Sequence, residues 1–375
     1  MQLLDNSEQA FLALVRGGLW EADVRLSKFK PIDYSRVISL AEEQSVVGLV
    51  AAGLEHVVDM KPPKEVLLQF IGQALQLEQR NSAMNHFIGV LFNQLNVADI
   101  YALLIKGQGV AQCYEKPLWR ACGDVDLFVD SINYASAKNV LLPLASSIEE
   151  EAIKPMHLGM IIGPWMVELH GSLRSCCMRQ MDKVIDEVQK DTFIEGHVRS
   201  WRNGDNVVFI PNFDNDVFFV FTHILKHFFH GGIGMRQICD WCRLLWSCRD
   251  VLDTVTLESR LKTARIMTEW QAFAEYAVVV LGFPKEQMPL YSSERKWLRK
   301  AKHINRYIMK VGNFGHNRDQ TYYRTRPFLV RKLISFWRRT LDAVRIFAIF
   351  PLDTIKVWLL MCFGGFIAVI KKVYD

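Results

Sequence analysis

Two aspartates, one residue apart in an apolar stretch, restrict the possible folds of this chain more than any other feature. The stretch reads Gly123-Asp124-Val125-Asp126-Leu127-Phe128-Val129. β-Branched and aromatic residues favour a strand over Asp124–Val129, and side chains alternate along a strand, so Asp124 and Asp126 project to the same face. Adjacent carboxylates repel each other unless a cation lies between them. The pattern therefore fits either a site for Mg²⁺, which prefers oxygen ligands, or a solvated strand face.

A second apolar run, Ile100 to Ile105, precedes the aspartates and ends in Lys106-Gly107-Gln108-Gly109. Glycine lets the backbone approach a ligand closely, and backbone N–H groups and a lysine ammonium can both contact phosphates. A helix is predicted next, over Val110–Tyr114. We therefore expect a strand, a phosphate-contacting turn, a helix, and then the strand that carries the aspartates.

This arrangement resembles the nucleotidyltransferase superfamily typified by DNA polymerase β. With Lys106-Gly107 in the turn and Arg120 four residues before the first aspartate, it is similar to the bacterial group called uncharacterised nucleotidyltransferases. Superfamily members more often have Gly-Ser at the turn, where this chain has Gly107-Gln108, and a shorter gap to the first aspartate. The resemblance implies an α+β fold, with a small mixed-sheet core between N-terminal and C-terminal helical regions. It also implies transfer of an NMP group from an NTP.

The family pattern further implies a third carboxylate, in an acid-x-His sequence on a neighbouring strand. A predicted hairpin over Leu158–Ile162 and Trp165–His170 supplies it, because Glu168 and His170 share one face of the second strand. From residue type alone, Glu168 also fits an exposed strand position, and His170 fits a structural hydrogen-bonding position. The resemblance implies one or two Mg²⁺ ions, with Glu168 placed to deprotonate or orient the acceptor hydroxyl. The expected catalytic and metal-binding residues are Asp124, Asp126 and Glu168.

Two histidines four residues apart, His223 and His227, form a second candidate motif because that spacing places them on one helix face. A glycine turn and a helix with Arg236 and Asp240 follow, as in the family's second motif. The residues alone leave three roles open for the histidines, namely phosphate or base contacts, structural hydrogen bonds, or Zn²⁺ binding. Lys106 and Arg236 are expected to neutralise the triphosphate, and Arg120 either contacts nucleotide or buttresses the aspartates. The expected nucleotide-binding residues are Lys106, Gly107, Gln108, Gly109, Arg120, His170, His223, His227, Arg236 and Asp240.

Hydrophobic periodicity divides the chain into four predicted regions. Residues 1–98 read as helical, 99–211 as the mixed core, 212–294 as a helical substrate-binding or nucleotide-binding region, and 295–375 as a basic, aromatic helical region. Half of the 375 residues are hydrophobic, so more than one core can be buried.

The cysteines and the N-terminus favour a cytoplasmic protein with free thiols. Eight cysteines are scattered along the chain, and the first residues lack the basic and apolar segments of a secretory signal. Cys239 and Cys242 are spaced as in zinc sites, but no second pair lies at finger spacing. We therefore predict core cysteines on a helix.

The last region concentrates positive charge, with 18 lysines and arginines against 4 acidic residues over 295–375. Arginines interleaved with aromatic residues suit either an anionic membrane surface or nucleic-acid phosphates. The final apolar run, Val357 to Ile370, has 14 residues, fewer than the ~20 needed to cross a membrane. We expect either one exposed apolar surface or burial against residues 213–290. The residues concerned are Ile334, Phe336, Trp337, Ile346, Phe347, Phe350, Trp358, Leu359, Phe363 and Phe366.

These features predict a cytoplasmic, Mg²⁺-dependent nucleotidyltransferase that uses ATP or another NTP and an unidentified hydroxyl acceptor. The basic end favours an acceptor at the inner membrane surface, for example in surface-polysaccharide assembly. Two alternatives remain. One is a non-catalytic, membrane-associated nucleotide sensor, and the other is a toxin-like transferase acting on tRNA, with the basic region as the RNA platform.

Overall fold

Four helices precede the sheet in the computed structural model, which describes residues 5–175, 178–317 and 326–374, with the side chains of Phe314 and 366–374 excepted. Asp5 and Asp33 cap the first two helices through side-chain oxygens that accept from backbone N–H groups. The longest helix starts directly after Pro62-Pro63, because proline is favoured just before or at a helix start. The four helices are α1 Asn6–Trp20, α2 Tyr34–Glu43, α3 Val47–Glu55 and α4 Lys64–Val97.

A five-stranded mixed sheet carries the aspartates, with the spatial order β1-β2-β5-β4-β3. Strands β2 and β5 run parallel, and the other neighbours are antiparallel. Strands β6 and β7 form a two-stranded hairpin. The strands are β1 Ala102–Ile105, β2 Asp124–Val129, β3 Ala145–Ile148, β4 His157–Ile162, β5 Trp165–His170, β6 Val198–Asn203 and β7 Asn206–Pro211.

Helices surround this sheet and continue to the C-terminal end, so the predicted α+β class with helical flanks is confirmed. The predicted boundaries at residues 98, 211 and 294 fall between these elements, and the division into four domains stays a prediction. The remaining helices are α5 Gly107–Ala111, α6 Tyr134–Leu141, α7 Arg179–Phe193, α8 Phe213–His230, α9 Met235–Cys248, α10 Thr254–Ala264, α11 Met267–Val279, α12 Arg295–Val311, α13 Phe328–Phe347 and α14 Pro351–Tyr374.

Two local predictions differ from the structure. Helix α5 spans Gly107–Ala111 rather than the predicted Val110–Tyr114. The amphipathic pattern predicts a helix over Tyr134–Ala145, but α6 ends at Leu141, since Pro143 lies in the short 3₁₀ turn that follows. The next residues form the edge strand β3, which was not predicted because its short sequence Ala-Ser-Ser-Ile is largely polar and exposed.

The two faces of β2 pack into different parts of the core. Val125, Leu127 and Val129 pack with α4 and α6 on one face. Phe128 lies on the other face, with its ring centroid 4.7 Å from that of Phe193 in α7. Asp124 and Asp126 share the face of Phe128, at the end where β2 begins. The strand therefore presents two carboxylates at the margin of an apolar core.

Helices α13 and α14 form a C-terminal hairpin, residues 328–374, that is buried only near its turn. Ile346, Ile349, Phe350 and Val357 join the main core, and the Phe350 ring lies 5.9 Å from that of Phe228 in α8. Elsewhere apolar side chains point to solvent. The exposed members are Leu329, Val330, Leu333, Phe336, Trp337, Leu341, Val344, Phe347, Leu352, Ile355, Leu359, Leu360 and Phe363.

The hairpin thus combines the two arrangements expected for this region. Ile346 and Phe350 are buried, Ile334 and Trp358 are half-buried, and Phe366 lies outside the described side chains. The others named from the sequence are exposed, namely Phe336, Trp337, Phe347, Leu359 and Phe363. Among the residues that could be searched, no helix has the length and apolarity to cross a bilayer. Cys239 and Cys242 lie buried on α9, as predicted for core cysteines.

Candidate active site

A cleft with a volume of about 520 Å³ opens between the sheet and helices α8 and α9. Most of the residues singled out from the sequence line it, although they come from distant parts of the chain. These are Lys106, Gly107, Arg120, Asp124, Asp126, Glu168, His170, His223, His227, Arg236 and Asp240.

The parallel pairing of β2 and β5 sets the arrangement of the three carboxylates. Asp126 lies directly opposite Glu168 in the register, and Asp124 lies two residues before Asp126 on the same strand. Since side chains alternate, all three project to one face of the sheet. The predicted strand bounds for this pair, Asp124–Val129 and Trp165–His170, match the structure.

Asp126 is the most enclosed of the three, with 3% of its surface exposed. The Lys106 Nζ lies 2.7 Å from its Oδ1, and the His170 Nε2 lies 2.9 Å from the same oxygen. Burial opposes ionisation, but these two partners outweigh it and hold the pKa of Asp126 below its usual value. Repulsion from Asp126, followed by burial, raises the pKa of Asp124. The pair therefore carries negative charge that Lys106 only partly offsets.

The turn after β1 aims the Lys106 ammonium at these carboxylates. Lys106 has φ +56° and Gly107 has φ +42°, so two successive residues occupy the left-handed region. A non-glycine residue rarely adopts that conformation, which ends β1 sharply and starts α5. Burial lowers the pKa of Lys106, but attraction to Asp126 and the other two carboxylates outweighs it, and the net shift is upward.

Gln108 and Gly109 do not line the cleft. Gln108 is buried, and its Nε2 lies 3.8 Å from the sulfur of Met84 in α4. Gly109 packs against β7, where an added Cβ would lie 3.1 Å from a methyl carbon of Ile210. The structure therefore gives these two residues packing contacts, and it brings only Lys106 and Gly107 from this turn to the cleft.

Two histidines flank Glu168, and sequence reasoning missed one of them. The His157 Nε2 lies 3.2 Å from Glu168 Oε2, and the His170 Nε2 lies 3.5 Å from the same oxygen. Burial opposes ionisation of Glu168, but both histidine contacts and Lys106 outweigh it and lower its pKa strongly. The sequence could have indicated His157, because extending the first strand of the predicted hairpin by one residue places His157 opposite His170.

Arg120 binds Asp240 inside the wall of the cleft. Its Nε lies 3.0 Å from Oδ1 and its Nη2 lies 2.7 Å from Oδ2, so the pair is bidentate. The Tyr114 hydroxyl donates to the same carboxylate. Burial lowers the pKa of Arg120, but Asp240 outweighs it and raises the pKa. This pairing leaves Asp240 without a contact to Arg236, although the two belong to one sequence motif.

Arg236 keeps donor capacity for an anion. Its Nη1 donates to the carbonyl of Ala121, whereas its buried Nε has no hydrogen-bond partner among the described residues. Burial, followed by the positive charge of Arg120, lowers its pKa. Because an arginine remains charged even so, Arg236 is a cation that lacks a carboxylate partner within the described part of the cleft.

His223 and His227 lie edge to face along α8, with ring centroids 4.3 Å apart and an interplanar angle of 67°. Burial, followed by the charge of Lys106, lowers the pKa of His223 far below its usual value and that of His227 to about 3. Both rings are therefore neutral at pH 7 and can donate or accept hydrogen bonds. Over the described residues, the clusters with three possible metal ligands are His157–Glu168–His170 and Asp191–Glu195–His197, and neither contains these two rings.

Comparison with known families agrees with this geometry. A family model described as uncharacterised nucleotidyltransferase matches residues 30–282, about two thirds of the chain. The chain belongs to this family. It is a nucleotidyltransferase, and the family resemblance drawn from Lys106, Arg120 and the two aspartates is confirmed. The match spans the whole sheet and helices α8 and α9, which line the cleft. The curated proteins and the solved structures gave no match.

Proposed function

We propose that this nucleotidyltransferase moves an NMP group from an NTP to a hydroxyl acceptor, with Mg²⁺ held by Asp124, Asp126 and Glu168. The observation that supports this most is the alignment of three carboxylates on adjacent parallel strands. The raised pKa of Asp124 reflects repulsion that a divalent cation would relieve. The all-oxygen character of this donor set fits Mg²⁺.

Different residues of the cleft would have different roles in such a transfer. Lys106 and Arg236 are placed to neutralise phosphate oxygens, and the neutral rings of His223 and His227 can hydrogen-bond a base or ribose. Bound Mg²⁺ would supply further neutralisation of the triphosphate. Glu168, whose pKa is lowered, is a weak base and would orient the acceptor hydroxyl by accepting its hydrogen bond. The hydroxyl oxygen bonds to the α-phosphorus and its proton passes to water. The bond between the α-phosphorus and the oxygen that bridges to the β-phosphorus breaks, and pyrophosphate leaves with that oxygen.

Arg120 and Asp240 would act differently from the other predicted nucleotide-binding residues. The Arg120 guanidinium and the Asp240 carboxylate bind each other in a bidentate contact, so these charges are not available to a nucleotide. We therefore propose that Arg120 positions the wall behind Arg236, which differs from both roles expected from the sequence, a nucleotide contact or a buttress for the aspartates.

For the acceptor, we propose a molecule at an anionic membrane surface on the cytoplasmic side, such as an intermediate of surface-polysaccharide assembly. Exposed apolar residues recur on α13 at three- and four-residue spacing, from Leu329 to Phe347. Helical geometry places exposed Lys332 and Arg339 on one flank of this face and Arg345 on the other. An apolar face between basic flanks is typical of helices that lie on anionic lipid. The hairpin also packs on α8, which lines the cleft.

One experiment tests the donor and the acceptor class together. The full-length protein is incubated with each NTP, labelled in its α-phosphate, and with membrane, soluble or RNA fractions of a cell extract. Label in a membrane-fraction product supports the proposal. Label in RNA with a steep salt dependence would instead favour a transferase acting on tRNA.

Liposome sedimentation tests the hairpin directly. Binding should rise with anionic lipid and fall with salt, and Trp337→Glu should weaken it at least tenfold. Ile132→Glu is a matched control, since Ile132 is also highly exposed but lies in the loop after β2. Equal binding by both variants would exclude the α13 face as the contact.

A further inference from the structure

We infer that His157, Glu168 and His170 form a binding site for a first-row divalent transition ion such as Mn²⁺, beside the aspartate pair. This inference deepens the proposed function, and it rests on that function for the role of the ion but not for its binding. His157 has no counterpart among the site residues expected from the sequence.

Strand pairing explains how the three side chains come together. His157 begins β4 and pairs across the antiparallel ladder with His170, which ends β5. Glu168 lies two residues before His170, so all three side chains project to one face. Gly159 faces Glu168 across the ladder and places no side chain between them. All three residues line the same cleft as the aspartates.

The distances suit a single ion. The two imidazole Nε2 atoms lie 3.2 Å and 3.5 Å from Glu168 Oε2, and the three ligand atoms lie within 4.8 Å of one another. Bonds of about 2.1 Å at tetrahedral or octahedral angles separate neighbouring ligand atoms by about 3.0–3.5 Å. Two of the three separations already fall in this range. The third separation, between the two imidazoles, is within 4.8 Å.

The ligand types decide which class of ion fits. Two imidazoles and one carboxylate suit transition ions better than Mg²⁺, which prefers oxygen and keeps much of its water. The aspartates lie on the neighbouring strand and offer oxygen alone. Glu168 borders both groups, so the cleft provides one oxygen-rich site and one mixed nitrogen and oxygen site.

Binding at the mixed site would also change the contacts of Asp126. The His170 Nε2 faces both Asp126 Oδ1, at 2.9 Å, and Glu168 Oε2, at 3.5 Å. A ring nitrogen that ligates an ion cannot also donate a hydrogen bond. The ion would therefore remove one hydrogen-bond donor from Asp126 Oδ1, which would keep its contact with Lys106 and become available to a second cation.

Electron paramagnetic resonance tests this site without reference to activity. Chelator-treated full-length protein is titrated with Mn²⁺ in the absence of nucleotide, and electron spin-echo modulation is recorded for coupling to ¹⁴N. We expect bound Mn²⁺ with imidazole nitrogen coupling. His157→Asn should weaken binding at least tenfold and reduce that coupling, consistent with loss of one ligand. His197→Asn is the matched control because His197 belongs to the exposed cluster Asp191–Glu195–His197, and it should leave the signal unchanged.

Every outcome separates this inference from the proposed function. Absence of Mn²⁺ binding, binding without nitrogen coupling, or coupling lost only in His197→Asn would overturn the mixed site. NMP transfer with Mg²⁺ alone could still occur in those cases, and the proposed function would stand. Conversely, nitrogen-coupled Mn²⁺ without transfer from any NTP would support the site and contradict the proposed function. If His157→Asn fails to fold, the coupling in the unaltered protein decides.

Discussion

The cleft and the C-terminal hairpin place charged and apolar groups in opposite ways. In the cleft, several charged groups are buried and paired, as in the Arg120–Asp240 contact and in the contacts of Asp126 with Lys106 and His170. In the outer part of the hairpin, Lys332 and Arg339 lie in solvent beside large apolar side chains such as Trp337, which is 63% exposed. Burial of paired charges fixes the geometry of the cleft but costs desolvation free energy. The hairpin instead leaves apolar surface exposed to water.

This difference suggests how the two regions contribute. Removing one member of a buried charge network leaves the other uncompensated, so the cleft should be sensitive to single substitutions. The outer part of the hairpin has few buried contacts, so substitutions there should alter binding to other molecules more than stability. The base of the hairpin belongs with the core, through Phe350.

The largest effect is expected in the carboxylate set. Asp126→Asn keeps the shape of the side chain but removes the charge that faces Lys106 and the proposed cation, so transfer should fall by about a thousandfold or more. The measurement is the initial rate of label transfer from an α-labelled NTP. Asp250→Asn, at an exposed position, is the control and should keep the normal rate. Near-normal turnover of Asp126→Asn would contradict the claim that the buried charges of the cleft are needed for catalysis.

The hairpin offers a matched pair of aromatic substitutions. Phe350→Ala should cost about 3–5 kcal/mol of unfolding free energy, because Phe350 is buried among aromatic rings of α8 and α11. Trp337→Ala should change it by less than about 0.5 kcal/mol, because Trp337 is mostly exposed. Denaturant unfolding measures both. Equal costs would mean that the hairpin is packed along its whole length. The burial of Phe350 also makes point variants better probes of membrane binding than truncation.

Attachment of the hairpin should depend on pH. Burial, followed by repulsion from Asp353 at the start of α14, raises the pKa of Glu269 to about 8. A raised pKa in the folded state means that folding favours the protonated form. The contribution of Glu269 to the free energy of unfolding is therefore fully present below the pKa of the unfolded state, and it is lost as the pH rises towards 8.

Glu269→Gln should remove that dependence, because the amide stays neutral. Relative to the unaltered chain, we expect the variant to gain on the order of 3 kcal/mol in unfolding free energy between pH 5 and pH 8. Denaturant unfolding across this range measures the difference, with Glu258→Gln on the surface of α10 as control. A constant difference between variant and parent at all pH values would show that Glu269 does not titrate on unfolding.

The smallest expected effect distinguishes the roles of the two arginines in the cleft. Arg236→Lys keeps the charge but removes the planar donor fork, so the KM for NTP should rise about tenfold. Arg120→Lys should instead lower the melting temperature with less effect on KM, because Arg120 binds Asp240. Steady-state kinetics and thermal melting distinguish the two. The reverse pattern would exchange the proposed roles of substrate contact and buttress.

The local sequence pattern predicted the strands of the site well. It could not predict contacts between residues that are far apart in the chain. Alternation and β-branched residues located β2 and β5 with their bounds, and the shared face of Asp124 and Asp126 followed. The burial of Gln108 depends on Met84 in another helix. Arg120 and Asp240 are 120 positions apart, and no local pattern indicates that they pair.

The histidines show a similar limit. His157 could have been found from hairpin register, since it needs only one more residue on a predicted strand. The spacing of His223 and His227 correctly predicted a shared helix face, but their neutral state depends on burial that the sequence does not specify.

The most direct test of the central claim is to compare an NTP labelled in its α-phosphate with the same NTP labelled in its γ-phosphate. With Mg²⁺ and the acceptor fraction, the unaltered protein should transfer the α label, release the γ label as pyrophosphate, and lose both activities in Asp126→Asn. This result would place NMP transfer in the carboxylate cleft. Transfer of the γ label to the acceptor, or α-label transfer that persists in Asp126→Asn, would contradict it.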